Sequence, residues 1–216
     1  MLVDIHTHSA HPTTHCLVVR NLNLNEAEDF FKTDEQALCS VGIHPWHVDL
    51  FSEELLSKLE GWSKDKRFIA IGECGLDKNS NAGFEKQLSI FEVQITISEN
   101  SNKPLIIHCV GYFNELLALK KKWNPIQLWI IHGFRGKPEL AAQVLKSGCA
   151  LSYGEHFNAE SVRLTPTEKL FVETDESKLN ISEIYQHIAN AKDCKIEDLN
   201  AGMQLLNEMT RSQSQS

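Results

Sequence analysis

The sequence has no apolar run approaching the ~18 residues of a membrane-spanning helix, so none of its 216 residues reads as a membrane anchor. Its opening, MLVDIHTHS, lacks a basic segment followed by an apolar stretch, and no secretory signal is read there. Cysteine pairing is also missing. The six cysteines stand singly at 16, 39, 74, 109, 149 and 194, none at metal-ribbon spacing. Free, mostly buried thiols in a reducing cytoplasm are expected, not a disulfide framework. There is no basic excess: the formal net charge is -8, which argues against a passive nucleic-acid coat. It does not argue against an enzyme acting on phosphodiesters, because bound metal supplies local positive charge that a whole-chain sum ignores. No internal repeat, P-loop, dinucleotide fingerprint or GxSxG elbow is present.

What is present is a series of short apolar runs. With 42% hydrophobic and 23% charged residues the composition is ordinary for a globular chain. The length suits a single domain over residues 1–210, with the polar tail 211–216 (RSQSQS) expected to be disordered. Strands are expected at 2–6, 16–20, 37–42, 68–73, 105–108, 128–132, 149–153 and 170–174. Helices are expected at 53–66, 85–100, 112–122, 138–147, 181–191 and 196–209. Over 53–66, Leu55, Leu56, Leu59 and Trp62 share a face; over 85–100, Leu88, Phe91, Ile95 and Val93 are candidates for the inward face. Eight strands alternating with helices predict an α/β fold, the (β/α)8 TIM barrel. Only about ten residues separate the first two strands, fewer than a parallel crossover usually takes, so the barrel has room to lack its first helix.

Several of these runs end in a residue type that binds divalent metal. They are His6 and His8 in VDIHTH, Glu73 in IAIGECGLD, His108 in PLIIHC, His132 in LWIIHG and Asp175 in LFVETDES. Residues two apart in a strand point the same way, so His6 and His8 aim at one point. A carboxylate such as Glu73, placed after four apolar strand residues, is costly to bury unless paired or metal-bound. His108 and His132 end successive runs in the same register; singly, either would read as a core histidine. Asp175 alone would read as a helix N-cap. In a barrel all six fall at the carboxyl ends of strands, where barrel active sites lie.

Six ligands are too many for one tetrahedral ion with an open position. They suit two divalent ions sharing a carboxylate, which acidify water and clamp the oxygens of a displacement at phosphorus or carbon. Mixed imidazole and carboxylate donors suit zinc, manganese, iron or nickel, and magnesium less obviously. Two carboxylates and four neutral imidazoles carry a charge of -2, which two divalent ions would turn to +2. No lysine at a strand end suits a carbamylated bridge, which leaves Glu73 as the bridging candidate. Asp175 can bind one ion and also take the nucleophile's proton.

In order, MLVDIHTH, SVGIHPW, IAIGECGLD, KPLIIHC, IIHGFRG and FVETDES resemble the signatures of the TatD-type metal-dependent hydrolases of the amidohydrolase superfamily. The resemblance runs from Met1 to about Met209. It implies a (β/α)8 barrel and metal-dependent DNA hydrolysis, including 3′-to-5′ exonuclease action on single strands. It also implies that His6, His8, Glu73 and Asp175 hold one ion and Glu73, His108 and His132 the other, with Asp175 as acid/base. The implied substrate is nucleic acid, single-stranded DNA first, with no membrane and no obligate protein partner. His44, after the third strand, would face a phosphate or leaving group; the bland alternative is a loop histidine shaping the turn before Pro45.

The chain departs from that pattern in three places. The fifth-strand histidine is followed by Cys109-Val110-Gly111 where relatives usually carry a basic residue. The sixth strand leads into Gly133-Phe134-Arg135-Gly136 where a Ser- or Thr-bearing turn is common. The stretch from Ser9 to Cys16 is short. Arg135 can replace the lost charge with a bidentate pair to phosphate, or be a solvated loop arginine. A second reading is hydrolysis of a C–N or C–O bond, as in amidases and lactonases; a third is a non-catalytic metal-binding module. Lesser candidates are His11 and His15 for substrate contact, and Lys78. His47 reads as surface or as a neighbour of the ligands. Asp77 reads either as a partner of a ligating histidine or as a turn stabiliser. Trp46 and Tyr112 are possible base-stacking faces for which core or lid packing is the expected role.

Overall fold

The computed structural model describes residues 1–9, 16–33 and 36–213. Its strands are β1 (Leu2–Thr7), β2 (Cys16–Leu22), β3 (Leu38–Val41), β4 (Phe68–Asp77), β5 (Leu105–Val110), β6 (Trp129–Ile131), β7 (Ala150–Tyr153) and β8 (Leu170–Val172). They form one sheet in chain order from β1 to β8, and the strand pairs resolved are parallel. A parallel bridge between Thr7 and Asp175 joins β1 to the segment after β8. This is the (β/α)8 barrel that the alternating pattern predicts.

The helices are α1 (Leu24–Phe30), α2 (Glu53–Trp62), α3 (Phe84–Ser101), α4 (Phe113–Trp123), α5 (Pro138–Lys146), α6 (Ala159–Leu164), α7 (Ile181–Lys192) and α8 (Ala201–Gln213). None among the described residues is long and apolar enough to cross a membrane. By internal contacts the chain divides into two compact units. One is Met1–Arg20 with Ile130–Ser216, and the other is Asn21–Trp129. Four of the six cysteines, Cys39, Cys74, Cys109 and Cys149, are buried.

Local chemistry explains where the elements start. Asn23 Oδ1 accepts hydrogen bonds from the amides of Asn25 and Glu26, and the Asn23 amide donates to the Glu26 carboxylate, a capping box that opens α1. Asn180 and Glu183 do the same for α7. Pro138 occupies the first turn of α5. Helices α1 and α6, seven and six residues long, were not expected from periodicity; at fewer than two turns they expose too little pattern to read, although the Asn23–Glu26 spacing is visible. The connection between β1 and β2, expected to have room for no helix, falls largely on residues 10–15, outside the described ones. At the C-terminus the expected 196–209 helix is a 3-10 turn, Ile196–Asp198, followed by α8, which runs to Gln213. Residues 211–213 of the tail expected to be disordered are therefore helical.

Strand β4 is buried along all ten residues and extends four beyond its expected end at Glu73. It continues because Cys74 to Asp77 stay in register with Ile107 to Val110 of β5. The register slips between Ile71 and Cys74, the kind of bulge that re-aims a side chain, here Glu73. Two glycines make the close strand approach possible. A Cβ on Gly72 would lie 2.6 Å from the Ile106 carbonyl oxygen, and one on Gly75, at φ +133°, would overlap the His108 carbonyl.

Helix α3 corrects the expected inward face. Leu88 and Val93 are only half-buried, whereas Gln87 and Gln94, seven residues apart, are almost fully buried beside Phe91 and Ile95. Their amides are satisfied by backbone. Ile43 N donates to Gln94 Oε1 at 2.7 Å, and Gln94 Nε2 donates to Ile43 O at 3.1 Å. Asp77 N donates to Gln87 Oε1 at 2.8 Å, and Gln87 Nε2 donates to Asp77 O at 3.0 Å. Each glutamine thus pairs with one residue as a neighbouring strand would.

Gly75→Ala should lower folding stability by at least ~2 kcal/mol, from steric overlap and a backbone angle that L residues avoid. Urea unfolding measures it, and a loss below ~0.5 kcal/mol would contradict the packing described.

Candidate metal centre

In the unit that contains both termini, β1 delivers His6, fully buried, and the next turn delivers His8, whose side chain is 41% exposed. The backbone of Asp175 is fastened to this strand. Its N–H donates to His6 O at 2.9 Å, and His8 N donates to Asp175 O at 3.2 Å. Asp4 adds a second fastening: it accepts from Thr174 N at 3.0 Å and from Thr174 Oγ1 at 2.6 Å. Burial pushes the Asp4 carboxyl up to about 7 against the lowering effect of those two bonds. Asp175 sits in the left-handed region at φ +53°. Its Oδ1 lies 3.7 Å from His6 Nε2 and 3.6 Å from His8 Nε2.

His132, just past β6, is buried, with its ring centroid 4.4 Å from that of His6. Its Nδ1 is 3.4 Å from Glu173 Oε1, at the outer limit of a hydrogen bond. Glu173 is completely buried and accepts from Gly133 N at 2.6 Å and from the Ser152 hydroxyl. Burial alone would raise its carboxyl. His132, the charge of His6 and the Ser152 hydroxyl instead hold it below the ordinary glutamate value. Glu173 was not singled out in the sequence. The signal was available, since it follows a buried apolar run just as Glu73 does.

In the other unit, Glu73 and His108 stand on adjacent strands, with His108 Nδ1 2.9 Å from Glu73 Oε1. His44 Nε2 is 3.3 Å from the same oxygen. Asn21, also missed in the sequence, accepts from Glu73 N at 2.8 Å and from Ser40 Oγ at 3.2 Å, fixing the backbone that carries Glu73. Asp77 fills both roles read for it. Its Oδ2 is 2.9 Å from His108 Nε2, and its Oδ1 accepts from Asn79 N at 2.7 Å to close the turn. Trp46 Nε1 donates to the same Oδ2 at 2.7 Å. Burial would raise the Asp77 carboxyl, but the bonds from Asn79, His108 and Trp46 bring it below its usual value. With Nε2 held by Asp77, His108 turns Nδ1 toward Glu73. His44 is oriented the opposite way. Trp46 N donates to His44 Nδ1 at 3.1 Å, so that nitrogen is unprotonated and Nε2 carries the hydrogen.

These donor sets fit a divalent ion. His6, His8 and Asp175 offer three ligand atoms within 4.8 Å of one another; His44, Glu73 and His108 cluster as closely, but there only Glu73 and His108 have lone pairs free for an ion, since His44 Nε2 carries its hydrogen. At ligand bonds near 2.0–2.2 Å, donors sharing an ion stand roughly 3–3.5 Å apart, close to the spacings above. His132, Glu173 and Asp175 form a third such group. Arg135 is exposed after β6 and belongs to none of them. His47 and Lys78 are exposed, and His11 and His15 lie outside the described residues. Tyr112 is half-buried against Phe84, ring centroids 4.9 Å apart. Trp46 is 58% exposed, which sets aside core packing and leaves lid packing or base stacking for it.

Replacing Asp77 with asparagine should weaken metal binding roughly 10- to 100-fold, the usual effect of removing the group that orients a ligating histidine. Competition against a chelating dye measures it, and unchanged affinity would remove Asp77 from that role.

Residues 4–206 match the family described as TatD related DNase. Among curated proteins, the chain is 29% identical over 174 residues to a 3′-5′ ssDNA/RNA exonuclease TatD of Pantoea ananatis, covering 74% of this chain and 66% of that one. It is 31% identical over 147 residues to the protein of that name in Erwinia tasmaniensis, covering 63% and 56%. The matched stretches thus span less than two thirds of these relatives. In fold, the chain is similar to the crystal structure of YJJV, a TatD homologue from Escherichia coli. The TM-score is 0.79 at 17% identity, with 97% of this chain and 96% of that one covered. A TatD family hydrolase from Entamoeba histolytica gives a TM-score of 0.73, also at 17% identity, with 96% and 97% covered. With the match running over nearly its whole length, the chain belongs to the TatD related DNase family.

Proposed function

We propose that this protein is a metal-dependent hydrolase of phosphodiester bonds that acts on single-stranded nucleic acid, DNA in the first place. The observation that carries the proposal is the pair of imidazole–carboxylate groups, His6–His8–Asp175 with donor atoms within 4.8 Å of one another and Glu73–His108 with Oε1 and Nδ1 2.9 Å apart. The family and the names of the curated relatives supply the substrate class.

In this reading His6, His8 and Asp175 would hold one divalent ion and Glu73 and His108 another, with His132 a further candidate ligand. When bound, the two ions supply Lewis acidity and lower the pKa of water so that hydroxide is available near neutral pH. The chain's own groups do the rest. Asp175 accepts the proton of the attacking water and later returns one to the leaving oxygen. His44 keeps its Nε2–H and donates it to a phosphate oxygen, a task the Trp46 amide on Nδ1 reserves for it. Asp77 and Glu173 hold the rings of His108 and His132 in the orientation that ligation needs. Arg135, exposed after β6, meets the phosphate backbone further from the reacting bond. Its scattered, mostly buried cysteines suit a reducing compartment, and the cytoplasm is the site of action in this reading.

Asp175→Asn should lower the cleavage rate of a single-stranded oligodeoxynucleotide by two to four orders of magnitude, the range for loss of a general acid–base group, while the oligonucleotide still binds. Chelation should abolish cleavage and added manganese or zinc should restore it. Cleavage by Asp175→Asn at the wild-type rate, or no cleavage of any oligonucleotide by metal-loaded protein, would overturn the proposal.

A further inference from the structure

Trp46 is the exception to how this chain treats its large aromatic side chains. Trp129 is fully buried and Trp62 and Trp123 are half-buried, while Trp46 is 58% exposed. The other large apolar side chains left exposed are aliphatic. An exposed indole usually samples several rotamers; this one is pinned. Its one polar atom, Nε1, donates to Asp77 Oδ2 at 2.7 Å, and its ring meets His44 edge-on, centroids 5.5 Å apart at 84°. The turn that carries it is fixed as well. His47 N donates to His44 O at 2.8 Å, Trp46 N donates to His44 Nδ1 at 3.1 Å, and Ser80 Oγ donates to Pro45 O at 2.8 Å.

We propose that Trp46 is a stacking platform for one unpaired base of the substrate, next to the phosphate that His44 contacts. This rests on the nucleic-acid reading above and names the residue that would favour the single-stranded form. A rigid, solvent-facing indole gives contact area with little loss of side-chain freedom on binding. Stacking on an aromatic is tolerant of base identity, because every base has a π-face, but needs the base free of its duplex partner. Asp77 places the platform: the carboxylate that holds the indole also holds His108, so the stacked base is registered against the candidate ligands through a single side chain. Trp46 therefore selects single strands over duplex without reading sequence.

The test uses the metal-loaded full chain, Trp46→Ala and Trp46→Phe, with an oligothymidylate and an abasic oligomer of equal length. Trp46→Ala should raise KM for oligothymidylate about tenfold, within the range for loss of one stacked base. Its kcat should stay within about twofold and its KM for the abasic strand should not change. Trp46→Phe, which keeps a ring but loses the bond to Asp77, should stay within about threefold of wild type on both strands. Equal losses on the two strands, or weakened metal binding in both variants, would show that the indole acts only by holding Asp77 and would overturn the proposal. Unchanged constants in Trp46→Ala would overturn it too. Fluorescence gives a readout independent of turnover and of whether Trp46→Ala folds. Oligothymidylate should quench wild-type indole emission, the abasic strand should not, and the quench should disappear in Trp46→Phe; no difference between strands overturns the proposal. Wild-type protein that shows base-dependent quenching but cuts neither strand would leave the platform standing and remove the hydrolase reading instead.

Discussion

Two residues of β1 fasten the segment that follows β8, and the first candidate ligand group depends on that fastening. His6 supplies a carbonyl to the Asp175 amide, and Asp4 supplies two carboxylate oxygens to Thr174. The strand that presents His6 as a ligand therefore also fixes the backbone of the ligand opposite it. Thr7 adds to this, accepting from Thr174 Oγ1 at 2.8 Å and donating to Asp175 O at 3.4 Å. Buried hydrogen bonds of this kind contribute modestly when made and are expensive to leave unmade, so the register of β1 against residues 173–175 is sharply defined.

The other ligand group is fixed by a helix. Gln94 of α3 pairs with both backbone groups of Ile43, one residue before His44, and Gln87 pairs with both of Asp77. Loops at the end of a barrel strand have no further strand neighbour to pair with. Here two side-chain amides act as that neighbour, two turns apart on one helix. The positions of His44 and of the carboxylate behind His108 are thus set by the packing of α3, whose Phe91 and Ile95 are buried in the core.

Much of this was legible in the sequence, and the parts that were not share a cause. Strand order, the barrel and the placing of His6, His8, His108, His132 and Asp175 at or near strand ends follow from apolar runs with a metal-binding residue type at their end; Glu73, read the same way, lies inside β4. Residues that act by holding others carry no such mark. Gln87, Gln94 and Asn21 do not stand out in the sequence, because nothing local says that backbone groups elsewhere in the fold are waiting for them. Asp4 and Glu173 are intermediate cases. Each is a carboxylate in or after a buried strand, a signal used for Glu73 and not extended to them. For Trp46 the sequence leaves core packing, lid packing and base stacking side by side, because a large apolar side chain is buried by default; only the structure shows its polar atom tied down and its ring left in solvent.

Position 175 answers to two demands at once. Its backbone lies at φ +53°, where most side chains collide with their own chain and where asparagine, aspartate and glycine are the residues that rest with least penalty. In the proposed role its side chain must at the same time carry a negative charge. Glutamate meets the second demand and violates the first, while asparagine and glycine do the reverse. Aspartate is the acidic residue compatible with both, so drift at this site has nowhere to go: the shape of the main chain polices the chemistry of the side chain.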